Sequence, residues 1–295
     1  MAVKNSLTKA KQKLGMAAYL TNEAVKAQIS KIVGGKDGAR FITSVISAVQ
    51  NNPQLQECTN QSILSAALLG ESLKLSPSPQ LGHFYMVPFN NNREHCKEAQ
   101  FQLGYKGYVQ LALRSGQYRK LNVLAIKEGE LVRYDPLNEE IEVNLIQDEE
   151  VRESTPTAGY YAMFEYINGF RKTMYWSKEK MVEHAKKYSN GFRKDLQKGT
   201  SYTFWSKDFD GMAYKTMLRQ LISKWGIMSI ELQQAIDGDM AVIHEDGTRN
   251  YVEIDTEMHT PAADEISEEA AANEEPKQAK EEPVTVMQQN EEDLF

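Results

Sequence analysis

Apolar residues recur along the chain with two periods, one helical and one extended. Their order predicts an α+β protein in which antiparallel strands and hairpins are backed by helices. Val25, Ile29 and Ile32 fall at helical spacing before Gly34-Gly35, which predicts a helix near 22 to 33. Phe41, Ile42, Val45, Ile46 and Val49 then form a broad apolar face that Asn51-Asn52-Pro53 terminates. A second core helix is expected from Thr59 or Asn60 through Ile63, Leu64, Ala67 and Leu68 to about Leu73. Ser76-Pro77-Ser78-Pro79 cannot continue it and reads as an ordered loop. His83 to Phe89 is rich in strand formers and, with Phe101 to Leu103 across Asn90-Asn91-Asn92, predicts a hairpin with a long polar turn.

From Tyr105 to Ser115 the pattern is again helical, with Val109, Ala112 and Leu113 turned toward a core and Lys106, Gln110 and Arg114 stacked along one side. Leu121 to Ile126 alternates as a half-buried strand does, and Ile141, Val143 and Leu145 alternate with Glu140, Glu142 and Asn144 as in a one-sided strand. Ala158 to Ile167 and Phe170 to Trp176 flank Asn168-Gly169, a strong hairpin signal. Ser177 is expected to cap a helix reaching about Tyr188, and Ser189 to Ser201 reads as a loop. The last core helix is expected from about Asp208 to Lys224, with Tyr214, Met217, Leu218, Leu221 and Trp225 inward and Lys215 and Arg219 outward. Around Asp246-Gly247, residues 242 to 254 have the pattern of a marginal hairpin, whereas Thr260 to Asn290 is poor in apolar residues and is expected to be disordered. The division expected is thus an N-terminal segment 1 to 38, a core 39 to 238 and an acidic tail 239 to 295.

Charge changes this picture because it is unevenly divided. The chain of 295 residues has a net charge of −7. Residues 239 to 295 hold 17 acidic and 3 basic side chains, a balance of −14, so the preceding 238 residues stand at +7. A basic body with an acidic tail fits a polyanionic partner. No run of about 18 apolar residues is present, the Lys-rich start lacks the apolar stretch of a secretory signal, and Cys58 and Cys96 are too few for a disulfide framework. The cytoplasm is the expected compartment, and no membrane partner is expected.

Catalytic constellations are missing from the pattern. Gly34-Gly35-Lys36 is followed by Asp37 and does not form a phosphate-cradling loop, so ATP hydrolysis is not expected. A metal-dependent nuclease would place an acidic residue ahead of E-x-K on a strand, and the E-x-K here, Glu275-Pro276-Lys277, lies in the tail. The spacing of His83, His95 and Cys96 matches no common zinc pattern. Neither enzymatic activity nor any cofactor is expected.

Cations and rings, in contrast, are interleaved. Of the 27 aromatic residues, 14 lie between Ala158 and Tyr214. Most belong in a core, but Tyr202, Phe204, Trp205 and Phe209 neighbour polar residues outside a clear apolar period. They are candidates for base stacking, with core packing the alternative. The candidate phosphate contacts are Lys106, Arg114, Lys215 and Arg219, then Arg171, Lys172, Arg193 and Lys207, the alternative for each being a solvated surface charge.

Leu103-Gly104-Tyr105-Lys106-Gly107-Tyr108 and Leu111-Ala112-Leu113-Arg114-Ser115-Gly116 resemble the RecT family of phage single-strand annealing proteins. So do the upstream blocks Pro79-Gln80-Leu81-Gly82 and Tyr85-Met86-Val87-Pro88-Phe89, in the same order and spacing, over roughly Phe41 to Gly226. The resemblance implies an ATP-independent protein that binds single-stranded DNA, pairs complementary strands through an annealed duplex intermediate and assembles into rings or helical filaments. It also implies work beside a phage-type exonuclease and a host single-strand-binding protein. It tips the narrow stripe of residues 22 to 33 toward a subunit contact, and the acidic face of residues 140 to 144 should point away from DNA. A passive single-strand-binding protein and, less well supported, a metal nuclease are the competing readings. The end of the chain, Glu291-Glu292-Asp293-Leu294-Phe295, looks like the acidic tip of bacterial single-strand-binding proteins. The tail is therefore expected to offer a partner its terminal Phe and to compete with DNA for the basic body.

Overall fold

The computed structural model describes residues 14–91, 94–244 and 246–251. The first thirteen residues, and the expectations for the tail beyond Tyr251, lie outside this range. The described part opens with α1 (Met16–Leu20), α2 (Glu23–Val33), α3 (Gly35–Gln50), a 3-10 turn (Pro53–Glu57) and α4 (Asn60–Ser72). Asn22 and Thr59 cap α2 and α4 by accepting from Ala24 N and Ser62 N. Gly34 ends α2 with φ +91, a conformation costly for any side-chain-bearing residue, so α2 and α3 meet at a sharp corner.

Next come β1 (Phe84–Asn91), β2 (Cys96–Leu103), α5 (Tyr105–Arg114), β3 (Tyr118–Lys127), β4 (Leu131–Asp135), β5 (Glu140–Val143) and α6 (Glu149–Ser154). They are followed by β6 (Thr157–Tyr166), β7 (Arg171–Ser177), α7 (Lys178–Tyr188), α8 (Asn190–Lys198), α9 (Phe204–Lys207) and α10 (Phe209–Trp225). The described part ends with α11 (Ile230–Gly238), β8 (Ala241–Ile243) and β9 (Arg249–Tyr251). One sheet has the order β1-β2-β8-β9, a second β3-β6-β7, and β4-β5 forms a separate ribbon. Every pairing between these named strands is antiparallel, so the expected α+β architecture is met.

Helix α4 covers the first sheet, where Phe84 and Phe101 stack at 5.0 Å, and α10 lies across the second beside α5. A Cβ on Gly70 of α4 would come within 2.3 Å of the Phe84 ring, so glycine is what lets helix and sheet approach. Tyr108, Tyr160 and Phe164 are fully buried between the layers.

Several boundaries differ from the expected ones. The first hairpin is longer, pairing Asn91 with Cys96, because its polar end is laddered by Asn91 Nδ2 donating to Glu98 Oε2 at 2.8 Å. Residues 189 to 201 are not a loop. Ser189 caps α8 by accepting from Phe192 N, Phe192 and Asp195 are buried three residues apart on one side, and Gly199 closes the helix in the left-handed region. Leu113 and Trp225, expected inward, are exposed, since α5 turns Tyr108, Leu111 and Ala112 to the core and Trp225 is the last residue of its helix. The hairpin around Asp246-Gly247 is present, and β8 joins β2 through Phe101 and Ala241, so the packed body continues past residue 238.

Met16 of α1, Leu20 and Ile29 are buried in the same core as the strands, and Tyr19 Oη donates to Gln61 Oε1 at 2.7 Å. The described part of the N-terminal segment therefore belongs to the packed body. Ile29→Ala should cost about 2–5 kcal/mol of stability in urea unfolding, the range for deleting a buried aliphatic side chain. A loss under about 1 kcal/mol would show instead that α2 only leans on the body.

Candidate nucleic-acid interface

The corner between β2 and α5 is made of backbone packed on backbone. Gly104 N donates to His83 O at 2.9 Å, and a Cβ on Gly104 or Gly107 would sit 2.1 Å from the carbonyl oxygen of Gly82 or His83. Only glycine allows that approach, and it leaves Lys106, between the two, exposed at the start of α5. Beside it is a cavity of about 220 Å³ walled by Tyr85, Tyr105 and Phe204, with Lys207 and Asp208 in its lining. Tyr85 and Phe204 have ring centroids 5.8 Å apart, and Tyr105 meets Tyr214 edge-on at 5.7 Å. His83 titrates below its ordinary value, first because it is partly buried and then because Arg114 and Lys106 impose positive charge on it. Two cations, Lys106 and Arg114, thus stand close to His83 on the α5 side. Burial, then the nearby Asp208 carboxylate, raises the Tyr85 phenol above its ordinary pKa.

One buried carboxylate shapes the neighbouring loop. Asp195 accepts from the Tyr202 and Thr203 backbone N–H groups at 3.0 and 2.8 Å and from the hydroxyls of Thr200, Thr203 and Ser206. The Thr200 hydroxyl first, then those of Ser206 and Thr203, hold its pKa far below the usual carboxylate range. With the loop tied from beneath, Tyr202 stands 78% exposed and Phe204 43% exposed, beside the exposed Lys207.

A model described as the RecT family matches residues 39–257. The chain belongs to the RecT family. It is 41% identical over 242 residues to "Uncharacterized protein YqaK" of Bacillus subtilis (strain 168), covering 82% of this chain and 76% of that one. Identity to "Protein RecT" of Escherichia coli (strain K12) is 28% over 242 residues, covering 81% and 82% of the two chains.

Within this RecT family fold the expected phosphate contacts separate into three groups. Lys106, Arg171, Arg193 and Lys207 are exposed. Lys215 and Arg219 do not point outward. Lys215 is 7% exposed, its Nζ lies 2.9 Å from Asp239 Oδ1, and Arg219 Nη1 lies 3.0 Å from Asp239 Oδ2. Burial lowers the Lys215 pKa, with the Asp239 charge opposing that shift. Asp239 also accepts from Leu103 N at 2.9 Å and Tyr108 Oη at 3.5 Å, so the two cations tie α10 to the end of β2. The i, i+4 spacing placed them correctly on one side of α10 but could not show that a carboxylate 20 or more residues later covers that side.

Arg114 is exposed, but its guanidinium donates to Leu73 O and Lys74 O at 2.8 Å each, where it caps the end of α4. Lys172 pairs with Glu139 and sits 4.4 Å over the Trp225 ring. Among the stacking candidates, Tyr202 and Phe204 are open to solvent, Phe209 is half-buried, and Trp205 is buried 8% exposed against Phe192 and Phe209. Tyr85 and Tyr105 were not singled out from the sequence, although both stand in the blocks that carry the family resemblance. The signal available was a tyrosine beside a glycine corner. His83 and the His95-Cys96 pair lie at opposite ends of the β1-β2 hairpin, and His83 Nδ1 accepts from Ser76 N. Among the described residues no group of three or more His, Cys, Asp or Glu could hold a metal ion, and no helix is long and apolar enough to cross a membrane.

Two outcomes test this construction. Asp239→Ala leaves the buried Lys215 and the half-buried Arg219 without their carboxylate and should destabilise by about 3–5 kcal/mol in chemical unfolding. Because the native pKa of Asp195 is depressed, its contribution to stability is fully present above the unfolded carboxylate value of about 4 and is lost as pH falls through the lower native value. Hydrogen exchange at the Tyr202 and Thr203 amides should therefore stay slow down to pH 4, and Asp195→Ala should accelerate both amides selectively; equal rates in the two proteins would remove Asp195 from its loop-holding role.

Proposed function

We propose that this chain is an ATP-independent single-strand annealing protein of homologous recombination, without catalytic activity of its own. Membership of the RecT family over residues 39–257 carries the reading. The local chemistry supports it: Lys106 and Lys207 stand beside a cavity walled by three rings, with Tyr202 exposed on the loop that Asp195 holds. Single strands bound without sequence preference need cations for phosphates and flat side chains for bases, and both are offered here. Arg193 and Arg171 are further exposed cations, while Lys215, Arg219 and Trp205 are turned toward the protein interior. Neutralised phosphates allow a second strand to approach, and base pairing supplies the driving force without a nucleotide fuel.

Annealing over many nucleotides requires many copies in register, so the protein works as a homo-oligomer, ring or helical filament. Ile32, 54% exposed on α2, is available for subunit contact. A phage-type exonuclease that generates the strands, and a host single-strand-binding protein that coats them, are the expected partners.

Complementary labelled strands mixed with the protein, without ATP, should pair faster than strands alone. A passive protector would slow them, and shortened products in magnesium or manganese would favour a nuclease. In a Lys106→Ala/Lys207→Ala variant, the slope of log K against log salt for single strands should be shallower by roughly 1.4, at about 0.7 per lost phosphate contact. An unchanged slope in the folded variant removes the two lysines from the interface.

A further inference from the structure

The cavity beside α5 leaves a second set of rings and ammonium groups unused. Trp176 stands near the end of β7, and Ser177 caps α7 directly after it, so strand and helix meet without a loop. Helix α7 carries His184 and Tyr188 one turn apart, and the ring centroids run from Trp176 to His184 in 5.3 Å and from His184 to Tyr188 in 4.5 Å. Lys180 Nζ sits 4.5 Å from the Trp176 centroid and Lys187 Nζ 5.3 Å from that of Tyr188. The three rings are half-buried and the two lysines exposed. The row is anchored on the core through Trp176 but keeps ring surface open.

Three rings in succession with an ammonium group toward each end complement a ligand that alternates flat faces with negative charges. Single-stranded nucleic acid has that form, whereas a duplex hides its base faces in the stack. A lysine resting on a half-exposed ring is readily displaced: a base takes the ring face and the phosphate takes the ammonium, an exchange favoured because base stacking exceeds an exposed cation–π contact. The surrounding charge agrees. Residues 178 to 198 hold seven Lys or Arg and three Asp or Glu. Of the acids, Asp195 is buried, Glu183 pairs with Lys186 at 2.7 Å and Glu179 hydrogen-bonds to Ser177 at the helix start.

We propose that the row formed by Trp176, His184 and Tyr188, with Lys180 and Lys187, is a second single-stranded DNA surface that holds the incoming strand while the first lies against Lys106 and Lys207. Its elements, β7 and α7, are different from those that wall the cavity. Binding of a single strand here stands on the rings and cations themselves; the assignment to the incoming strand rests on the annealing reading.

The test uses the full chain preloaded with an unmodified strand, to which a complementary strand bearing 5-iodouracil is added before illumination and peptide mapping. Adducts at Trp176, His184 or Tyr188 are expected from the second strand. Lys180→Glu/Lys187→Glu should slow annealing about tenfold or more while changing affinity for the first strand less than about twofold, as loss of phosphate contacts on one strand alone requires. Absence of adducts between residues 176 and 188, or an unchanged annealing rate in the variant, overturns the proposal. An equal loss of first-strand affinity overturns the second-strand assignment, since it makes the row part of the first site. If the charge reversals unfold the protein, Lys180→Gln/Lys187→Gln is read in the same way. A wild-type protein that binds single strands yet never accelerates pairing defeats the annealing reading instead, and adducts from a lone iodouracil strand then decide the row.

Discussion

A single carboxylate with no exposed surface ties together the parts of this molecule that are far apart in sequence. Asp239 sits between α11 and β8 and accepts from Lys215 and Arg219 of α10, from Tyr108 of α5 and from the backbone of Leu103 at the end of β2. Two cations against one acid leave this cluster with a residual positive charge, tolerated because both cations hydrogen-bond the carboxylate and Arg219 keeps part of its side chain in solvent. The consequence is positional: the start of α5, where Lys106 emerges, is held against α10 and the first sheet at once.

The walls of the cavity follow from that arrangement. Once β2 and α10 are held, the Gly104 and Gly107 contacts with residues 82 and 83 decide how closely α5 approaches β1, and hence where Tyr85 and Tyr105 stand. The opposite wall depends on a second buried carboxylate, Asp195, which gathers the loop of residues 200 to 206 into one conformation and so places Phe204 against Tyr85. Both acids act by removing backbone freedom beside the rings that wall the cavity.

The acidic ribbon of β4 and β5 shows a related use of charge. Glu130, fully buried, accepts from Arg152 Nε at 2.6 Å and from the Lys127 and Ile146 backbone N–H groups, which pins the open end of the ribbon. Glu139 then bonds Lys172 and the Thr173 N–H on β7, and Tyr134 packs against Tyr175. An edge strand that would otherwise offer free N–H groups is thus partly covered by a negatively charged neighbour.

The alternation of apolar and polar residues determined by itself that the chain is α+β, that Asn168-Gly169 turns a hairpin, and that α2, α4, α7 and α10 lie close to where they do. These features depend on short-range periodicity and capping, which neighbouring residues encode directly. The RecT family blocks likewise marked Lys106 and the glycine corner. Helix α8 was not legible, because its buried side consists of one ring and one carboxylate whose partners lie at positions 200 to 206. Nor could spacing distinguish Lys106 from Lys215, since each is a lysine on a helix with rings nearby. Only the tertiary structure decided that one faces solvent and the other faces Asp239, because the energy of a charge depends on what surrounds it in space, and periodicity along a helix reports a direction but not what lies there.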